Sequence, residues 1–455
     1  MVTPTILLLS RVVSAVGILV HISLASSFLG TIALALLFEF RYLKGGDADY
    51  MTLSRKFAVI STIIFGVGAA YGTLVEFGLV TVWSNFIALI GALALPFFLE
   101  LFAFLFEVVV LPLYLYTWNK IKNGWIHFGI GIAAGFGGFW SAYNILAVMA
   151  SLSMLPPGLK IVSLASAKSS IGGAITYLLE WQKPSDLFNM YWWGANIFIF
   201  HGIFAAVILS WSIVAGVYIR RYLREKDQMH LKFLKNTSLT IAVLTLIEGL
   251  VIGHYQGELV IQFDPLKLAA LEGFFWSGLK VDPLISFVAT GTLNHPFWGL
   301  FSWPNALRPP FYVTYAYIVM MVGFGIVLGI FTAGIGIYLL FGNRLASFKL
   351  GWLNTLGPYL LKVGQYLIPI SAAIAAIGGA LSAESGRFPL IFVSSVPNTA
   401  GPPTITGIPV TAILNIDLSM PYWLAVLLLI VELSIPFIAI YGIYLYTRRS
   451  LGDGQ

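Results

Sequence analysis

The stretch PYWLAVLLLIVELSIPFIAIYGIYLY, residues 421–446, contains a single charged side chain, Glu432. A bilayer core is crossed by about 20 helical residues, so this stretch predicts a membrane-spanning helix. The rest of the chain has the same character, since 59% of its 455 residues are hydrophobic and 10% are charged. Soluble proteins contain roughly 25% charged residues. The sequence therefore predicts an all-α polytopic membrane protein.

Nine windows of this kind occur along the chain, without an internal repeat or a dividing linker. They cover residues 8–40, 57–80, 84–117, 125–153, 190–219, 236–253, 311–341, 357–382 and 421–446. A charged segment, residues 254–310, follows the sixth window. We predict nine transmembrane helices in a single membrane domain, residues 1–455, with residues 254–310 as a short loop outside the membrane.

Lysine and arginine indicate the orientation, because short cytoplasmic loops retain them. One set of alternating loops, including the loop with Lys120 and Lys122 and the C-terminal segment, carries twice as many of these residues as the other. This predicts an N-terminus outside, a cytoplasmic C-terminus and an extracytoplasmic 254–310 loop. The scattered net charge of +6 does not indicate a nucleic-acid partner, and the lack of cysteine excludes disulfides and thiolate metal sites.

Two histidines and a methionine lie at a similar predicted depth in the membrane. His21, His201 and Met320 are each about 15 to 20 Å from the outer end of their window, at about 1.5 Å per residue. Imidazole and thioether groups are axial ligands of low-spin haem iron. Hydrogen-bonded packing is the more common role of a lone histidine in a span, and Met320 has a neighbour, Met321, that would serve equally.

Carboxylates form a second pattern within the windows. Glu100 and Glu107 are seven residues apart and thus share one helix face. Two stacked acids suit a proton relay, although a structural pair bonded to neighbouring spans would have the same spacing. Glu432 lies deep in the ninth window, near the histidine layer.

Several motifs resemble subunit I of the cytochrome bd-type quinol oxidases over nearly the whole chain. The stretch DPLKLAALEG, residues 264–273, resembles the quinol loop of that family, which implies roles in quinol oxidation for Lys267 and Glu272. GRFP, residues 386–389, is similar to the Gly-Arg-Gln-Pro-Trp signature and places Arg387 at a cofactor. GTLVEFGLVTVW, residues 72–83, resembles a Glu-Phe-x5-Trp stretch of the family.

The resemblance also implies three haems. His21 corresponds to a ligand of a high-spin haem b, and His201 with Met320 or Met321 to the ligands of a low-spin haem b. The third group is haem d or a further haem b. Glu432 matches a ninth-span glutamate ligand, whereas alignment from the inner helix end gives Ala439 or Ile440 instead.

Two departures from the family pattern stand out. The family places an arginine two residues before the methionine ligand, and YAYIVMM, residues 315–321, contains none. Phe388 and Leu390 replace the glutamine and tryptophan of the signature.

These features predict a haem-containing subunit of a quinol:oxygen oxidoreductase in the prokaryotic cytoplasmic membrane. It would oxidise quinol at the outer face and reduce O2 with cytoplasmic protons through Glu107 and Glu100, forming a proton gradient. The expected partners are a second membrane subunit, quinol, O2 and membrane lipid. The alternatives are a divergent non-catalytic paralogue and an ion- or proton-coupled transporter; the lack of an inverted repeat disfavours the transporter.

Overall fold

The computed structural model describes residues 4–82, 89, 91–168, 174–345, 352–412 and 422–452. Within these ranges nine helices are long and apolar enough to cross a membrane. They are Val12–Gly45, Ala48–Val75, Gly91–Tyr116, Gly124–Ser153, Pro184–Glu225, Gln228–Phe263, Tyr312–Gly342, Thr355–Ser385 and Tyr422–Thr447. The predicted nine-helix membrane fold is therefore confirmed.

The helices are α1 (Pro4–Gly45), α2 (Ala48–Val82), α3 (Ala94–Tyr116), α4 (Gly124–Ser153), α5 (Trp193–Glu225), α6 (Gln228–Leu246), α7 (Gly253–Phe263), α8 (Pro265–Leu271), α9 (Pro283–Thr290), α10 (Tyr312–Tyr315), α11 (Phe324–Leu345), α12 (Trp352–Ser385) and α13 (Tyr422–Gly452). Several extend beyond the predicted windows. Helix α5, for example, continues beyond the window of residues 190–219 and includes Arg220, Arg221 and Arg224. Arginine is a good helix former, although it is too polar to belong to a hydrophobic window.

The strands are β1 (Leu159–Lys168), β2 (Ala174–Trp181), β3 (Leu279–Val281), β4 (Pro296–Trp298), β5 (Leu390–Val396) and β6 (Thr404–Pro409). They form three separate antiparallel hairpins, β1 with β2, β3 with β4 and β5 with β6. All three lie in segments that the sequence indicated only as connectors, so the all-helical membrane fold carries small sheets between its spans.

Two compact units are present. The first comprises Met1–Ile145, Gly158–Leu187 and Thr411–Gln455, and the second comprises Leu146–Pro157 and Phe188–Val410. Helix α4 contributes residues to both units. The single membrane domain stays a prediction.

In the first unit, α1 packs along α2, and both helices contact α13. Buried hydroxyl groups link the first two helices. Ser54 Oγ donates a hydrogen bond to Ala35 O at 2.7 Å, and Ser61 Oγ donates to Thr31 Oγ1 at 2.9 Å. The hydroxyls of Ser54 and Ser61 thus each have a partner, as most buried polar groups do.

In the second unit, α12 packs against both α5 and α11. Glycines allow the close approaches of α12. A Cβ on Gly216 of α5 would lie 2.7 Å from Pro369 Cγ, and one on Gly378 of α12 would lie 2.5 Å from Met320 Cβ. Larger residues at these positions would separate the helices.

The 254–310 segment folds onto the β5–β6 hairpin through one apolar cluster that includes Leu268, Phe274, Trp303 and Val393. Short helices in the segment begin at capped residues. The Asp264 carboxylate accepts a hydrogen bond from Lys267 N at 3.0 Å at the start of α8, and Asp282 caps α9 in the same way. The segment is therefore a packed element rather than an extended loop.

Two spans contain π-helical segments, Ile247–Ile252 after α6 and Ala316–Gly323 between α10 and α11. A π segment carries an additional residue in the turn and is frequently found at functional sites. The first contains Glu248, and the second contains Met320 and Met321.

Candidate functional site

Lys267 and Arg387, both predicted site residues, lie in the same part of the second unit. Lys267 is buried, with 8% of its surface exposed, and its Nζ donates a hydrogen bond to Ala383 O at 3.2 Å. Gly386 makes room for this side chain, because a Cβ there would lie 3.0 Å from Lys267 Cε. Arg387 pairs with Glu384, while its Nε and Nη1 have no hydrogen-bond partner among the described residues. The GRFP motif thus forms one wall around the lysine.

Burial dominates the electrostatics at the start of α8. It lowers the pKa of the Lys267 ammonium, although the nearby Asp264 carboxylate opposes this shift. Burial likewise raises the pKa of Asp264 to about 6, against the hydrogen bond from the Lys267 backbone. Both groups are therefore easier to neutralise than they would be in water.

Glu272 lies at the other end of α8, where Tyr317 donates a hydrogen bond to its carboxylate. Thr314 Oγ1 also donates to Ala270 O at 2.6 Å, so two contacts tie α8 to the seventh span. Burial raises the pKa of Glu272 to about 7, and the bond from Tyr317 opposes that rise. The two predicted quinol residues, Lys267 and Glu272, thus have different neighbours.

His201 contacts a carboxylate that was not among the predicted site residues. Its Nδ1 lies 2.5 Å from Glu248 Oε1, and 26% and 13% of the two side chains are exposed. The contact with Glu248 involves Nδ1 of His201, and Nε2 takes no part in it. Metal-binding histidines commonly hold a carboxylate in this way at the nitrogen that does not bind the metal.

Met320 and Met321 both lie against α12, which also packs on the helix that carries His201. Met320 Cβ approaches Gly378, and Met321 Sδ lies 3.4 Å from the position of a Cβ on Gly379. Both methionines are half-buried. The two alternatives for the thioether ligand therefore stay open.

In the first unit, the side chains of His21 and Glu432 lie close to the contact between α1 and α2. The His21 ring fills the space next to Gly72, where a Cβ would lie 2.6 Å from its Cε1. The Glu432 carboxylate approaches Gly17, one helical turn before His21, with Oε1 3.0 Å from the position of a Cβ. His21 Nδ1 and Glu432 Oε2 are buried and have no hydrogen-bond partner among the described residues.

Buried groups without a partner are costly, and imidazole and carboxylate are both iron ligands. The donor chemistry in the first unit therefore fits a metal-containing cofactor. The alternatives to Glu432 fit less well, because Ala439 and Ile440 carry no donor atom and the side chain of Ile440 is 61% exposed.

Glu100 and Glu107 lie on one face of α3, as their spacing predicted, and both face α4. Glu100 Oε1 accepts a hydrogen bond from Ser141 Oγ at 3.0 Å. Glu107 is 3% exposed, and its Oε1 lies 3.0 Å from the position of a Cβ on Gly138. That oxygen has no hydrogen-bond partner among the described residues.

A model of the family described as cytochrome bd terminal oxidase subunit I matches residues 9–445 of this sequence. The chain belongs to this family. It is a multi-pass membrane protein of the bacterial cytoplasmic membrane, and the cytochrome bd family implies haem cofactors.

Three curated relatives support the assignment to the cytochrome bd family. The chain is 25% identical over 378 residues to a candidate cytochrome bd menaquinol oxidase subunit I of Bacillus subtilis (strain 168), covering 75% of this chain and 79% of the relative. It is 24% identical over 314 residues to the cytochrome bd ubiquinol oxidase subunit 1 of the same organism, covering 68% and 62%. It is 25% identical over 319 residues to the cytochrome bd-II ubiquinol oxidase subunit 1 of Escherichia coli (strain K12), covering 64% and 59%. The chain therefore spans less than two thirds of the length of the two ubiquinol oxidase relatives.

The bd oxidase from Geobacillus thermodenitrificans has the same fold. Its structure superposes with a TM-score of 0.76 at 23% sequence identity and covers 99% of this chain and 100% of that one.

The sequence held signals for candidate site residues that were not predicted. Glu248 is an ionisable residue within the sixth predicted window, a rare feature that marks a functional candidate by default. Tyr317 lies one helical turn from Met320 and Met321, but its contact with Glu272 joins segments that are far apart in sequence. Glu39 lies near the end of the first predicted window, where a polar side chain commonly extends to the membrane surface, but its side chain is buried. The side chain of Glu76 and all of Trp83, from the Glu-Phe-x5-Trp stretch, lie outside the described residues.

Proposed function

We propose that this chain is the haem-carrying subunit of a quinol:oxygen oxidoreductase that works with a second membrane subunit. The family assignment and the names of the relatives, which are menaquinol and ubiquinol oxidase subunits, support this function. The observation that carries it is that His21 Nδ1 and Glu432 Oε2 are buried without a hydrogen-bond partner among the described residues, and that the Glu432 carboxylate, from α13, approaches α1 one helical turn before His21.

We assign the candidate ligands to haems as follows. His201 with Met320 or Met321 would hold a low-spin haem b, and His21 with Glu432 would serve a high-spin haem b and a third haem, either d or b. Bound haem supplies one-electron transfer between quinol and dioxygen. In the second unit, Glu248 orients the imidazole of His201 through Nδ1.

Quinol oxidation requires removal of two hydroxyl protons along with the electrons. Glu272 is suited to accept a proton, because its pKa of about 7 is close to physiological pH. Lys267 and Arg387 are basic residues at the GRFP motif, residues 386–389. There they would stabilise the anionic form of the quinol head group. We place this site at the outer face, following the predicted orientation.

Dioxygen reduction consumes protons, which we propose come from the cytoplasm through α3. With the N-terminus outside, α3 runs inward, so Glu107 is nearer the cytoplasm and Glu100, bonded to Ser141, lies above it. Release of quinol protons outside and uptake of protons from inside would form a gradient without a pump.

Replacement of Glu272 by Ala in the complete oxidase tests the quinol site. We expect quinol oxidation to slow, while O2 consumption with an artificial electron donor that bypasses the quinol site persists. Tyr312→Phe is a matched control at the same end of the seventh span, because Tyr312 hydrogen-bonds Ser385 rather than Glu272. Equal losses in the two assays for Glu272→Ala would contradict the assignment. A purified oxidase without haem absorption would contradict the function itself.

A further inference from the structure

Three buried side chains of the first unit form a hydrogen-bonded cluster that the proposed reaction does not yet use. Glu39 of α1, Tyr114 of α3 and His127 of α4 are 1%, 0% and 3% exposed, respectively. The indole ring of Trp118 packs edge-on against His127, with ring centroids 4.7 Å apart. The cluster, hereafter the inner triad, lies next to the loops that connect α1 to α2 and α3 to α4.

Hydrogen-bond geometry limits the number of protons in the inner triad. His127 Nε2 lies 3.0 Å from Tyr114 O, which is only an acceptor, so Nε2 carries a proton. His127 Nδ1 lies 2.6 Å from Glu39 Oε1, and this contact holds a single proton. The Tyr114 hydroxyl donates to Glu39 Oε2 at 2.5 Å.

The shared proton has two positions. On Nδ1 it gives an imidazolium and a carboxylate, and on Oε1 it gives a neutral imidazole and a carboxylic acid. The pair of Glu39 and His127 has zero net charge in both forms, so neither form leaves an uncompensated charge in the membrane. Transfer of the proton between the two atoms, across a contact of 2.6 Å, therefore leaves the net charge of the pair unchanged.

The inner triad lies on the same strip of the molecule as Glu107. Tyr114 and Glu107 are seven residues apart on one face of α3, a separation of about 10 Å. Glycines of α4 lie opposite both: a Cβ on Gly131 would be 2.7 Å from Tyr114 Cε2, and one on Gly138 would be 3.0 Å from Glu107 Oε1. A distance of about 10 Å exceeds one hydrogen bond, so proton transfer along this strip would require bridging water.

We infer that the inner triad is a one-proton site that supplies Glu107 from the cytoplasmic side. The proton moves from Nδ1 of the His127 imidazolium to Oε1 of Glu39, the carboxylic acid releases it towards Glu107, and a cytoplasmic proton restores the imidazolium. This inference rests on the proposed function and on the predicted orientation. Lys44, Lys120 and Lys122 in the adjoining segments mark that side as cytoplasmic.

Proton uptake by the complete oxidase in a single turnover tests the inference. Glu39→Gln retains a side chain of similar size that can hydrogen-bond, but it cannot titrate. We expect at least a tenfold slower proton uptake after O2 is added to the reduced enzyme, with unchanged haem content and unchanged electron input from quinol. Ser61→Ala is the matched control, because it removes a buried, non-titrating hydrogen bond of α2 to Thr31; its uptake should equal that of the wild type.

Infrared difference spectra give a second readout that a purely structural cluster would not change. Tyr114→Phe removes a donor to the Glu39 carboxylate, so the shared proton should shift towards Glu39 and increase its carboxylic acid signal. This variant keeps the inference testable even if Glu39→Gln does not assemble. Wild-type proton uptake in Glu39→Gln, or a Glu39 carboxylic acid signal that Tyr114→Phe leaves unchanged, would show that the inner triad only holds three helices together. A wild-type enzyme that does not oxidise quinol would instead refute the proposed function.

Discussion

Replacement of Tyr317 by Phe should raise the pKa of Glu272. The Tyr317 hydroxyl donates to the Glu272 carboxylate and partly offsets the effect of burial, which raises that pKa to about 7. A hydrogen bond to a charged acceptor contributes about 1.5–3 kcal/mol, and one pKa unit corresponds to about 1.4 kcal/mol. Glu272 is partly exposed, so water replaces some of the lost interaction. We therefore expect a rise of about one unit.

The sign of the effect on activity follows from the role of Glu272 as proton acceptor. Quinol oxidation requires the carboxylate, so kcat/KM should increase as pH rises through the pKa. In Tyr317→Phe this limb should move to higher pH by about one unit, which lowers the rate at pH 7 about fivefold and leaves the high-pH plateau unchanged.

The assay is kcat/KM for quinol oxidation across pH, measured on the complete oxidase. Tyr312→Phe makes the same chemical change at a tyrosine whose hydroxyl contacts Ser385 Oγ at 2.7 Å. Its pH profile should match that of the wild type. The reasoning fails if the limb of Tyr317→Phe does not move, or if Tyr312→Phe moves it equally.

Three further variants address the membrane sites. His201→Ala should remove the low-spin haem signal while the protein still assembles, and an unchanged reduced-minus-oxidised spectrum would contradict the ligand assignment. Glu248→Gln should raise the midpoint potential of that haem, because a carboxylate at Nδ1 makes the imidazole a stronger donor; a tenfold change in the reduction equilibrium corresponds to about 59 mV in a redox titration. Glu107→Gln should preserve haem content and lower turnover, whereas loss of haem would indicate a ligand role instead.

The membrane fold was predictable because each span is decided by a local property. A stretch such as residues 421–446 must be helical in lipid, since its backbone polar groups have no other partner there. The hairpins were not predictable in the same way. Strand β5 pairs with β6 from Leu390↔Pro409 to Val396↔Thr404, and nothing in either segment alone specifies that partner.

The site residues show the same difference between features set by one segment and features set by the packing of distant segments. The face shared by Glu100 and Glu107 follows from helix periodicity within one segment. The contact of His201 with Glu248 depends instead on how two spans pack, and so does the burial of Glu39. Glu39 lies close to a span end, where a long polar side chain usually reaches the membrane surface. Partners supplied by α3 and α4 keep it inside instead.

The π-helical segment Ala316–Gly323 has a consequence for how homologous sequences are aligned to this one. Each α-helical residue advances about 100° around the axis, so a turn that is one residue wider offsets all side chains beyond it relative to an uninterrupted helix. If one relative has the wider turn and another does not, two residues at the same sequence distance beyond a shared motif lie on different faces of the helix. The family places its arginine two residues before the methionine ligand, and that position falls within this segment. The counterpart of the arginine should therefore be sought by position in space rather than by counting along the chain.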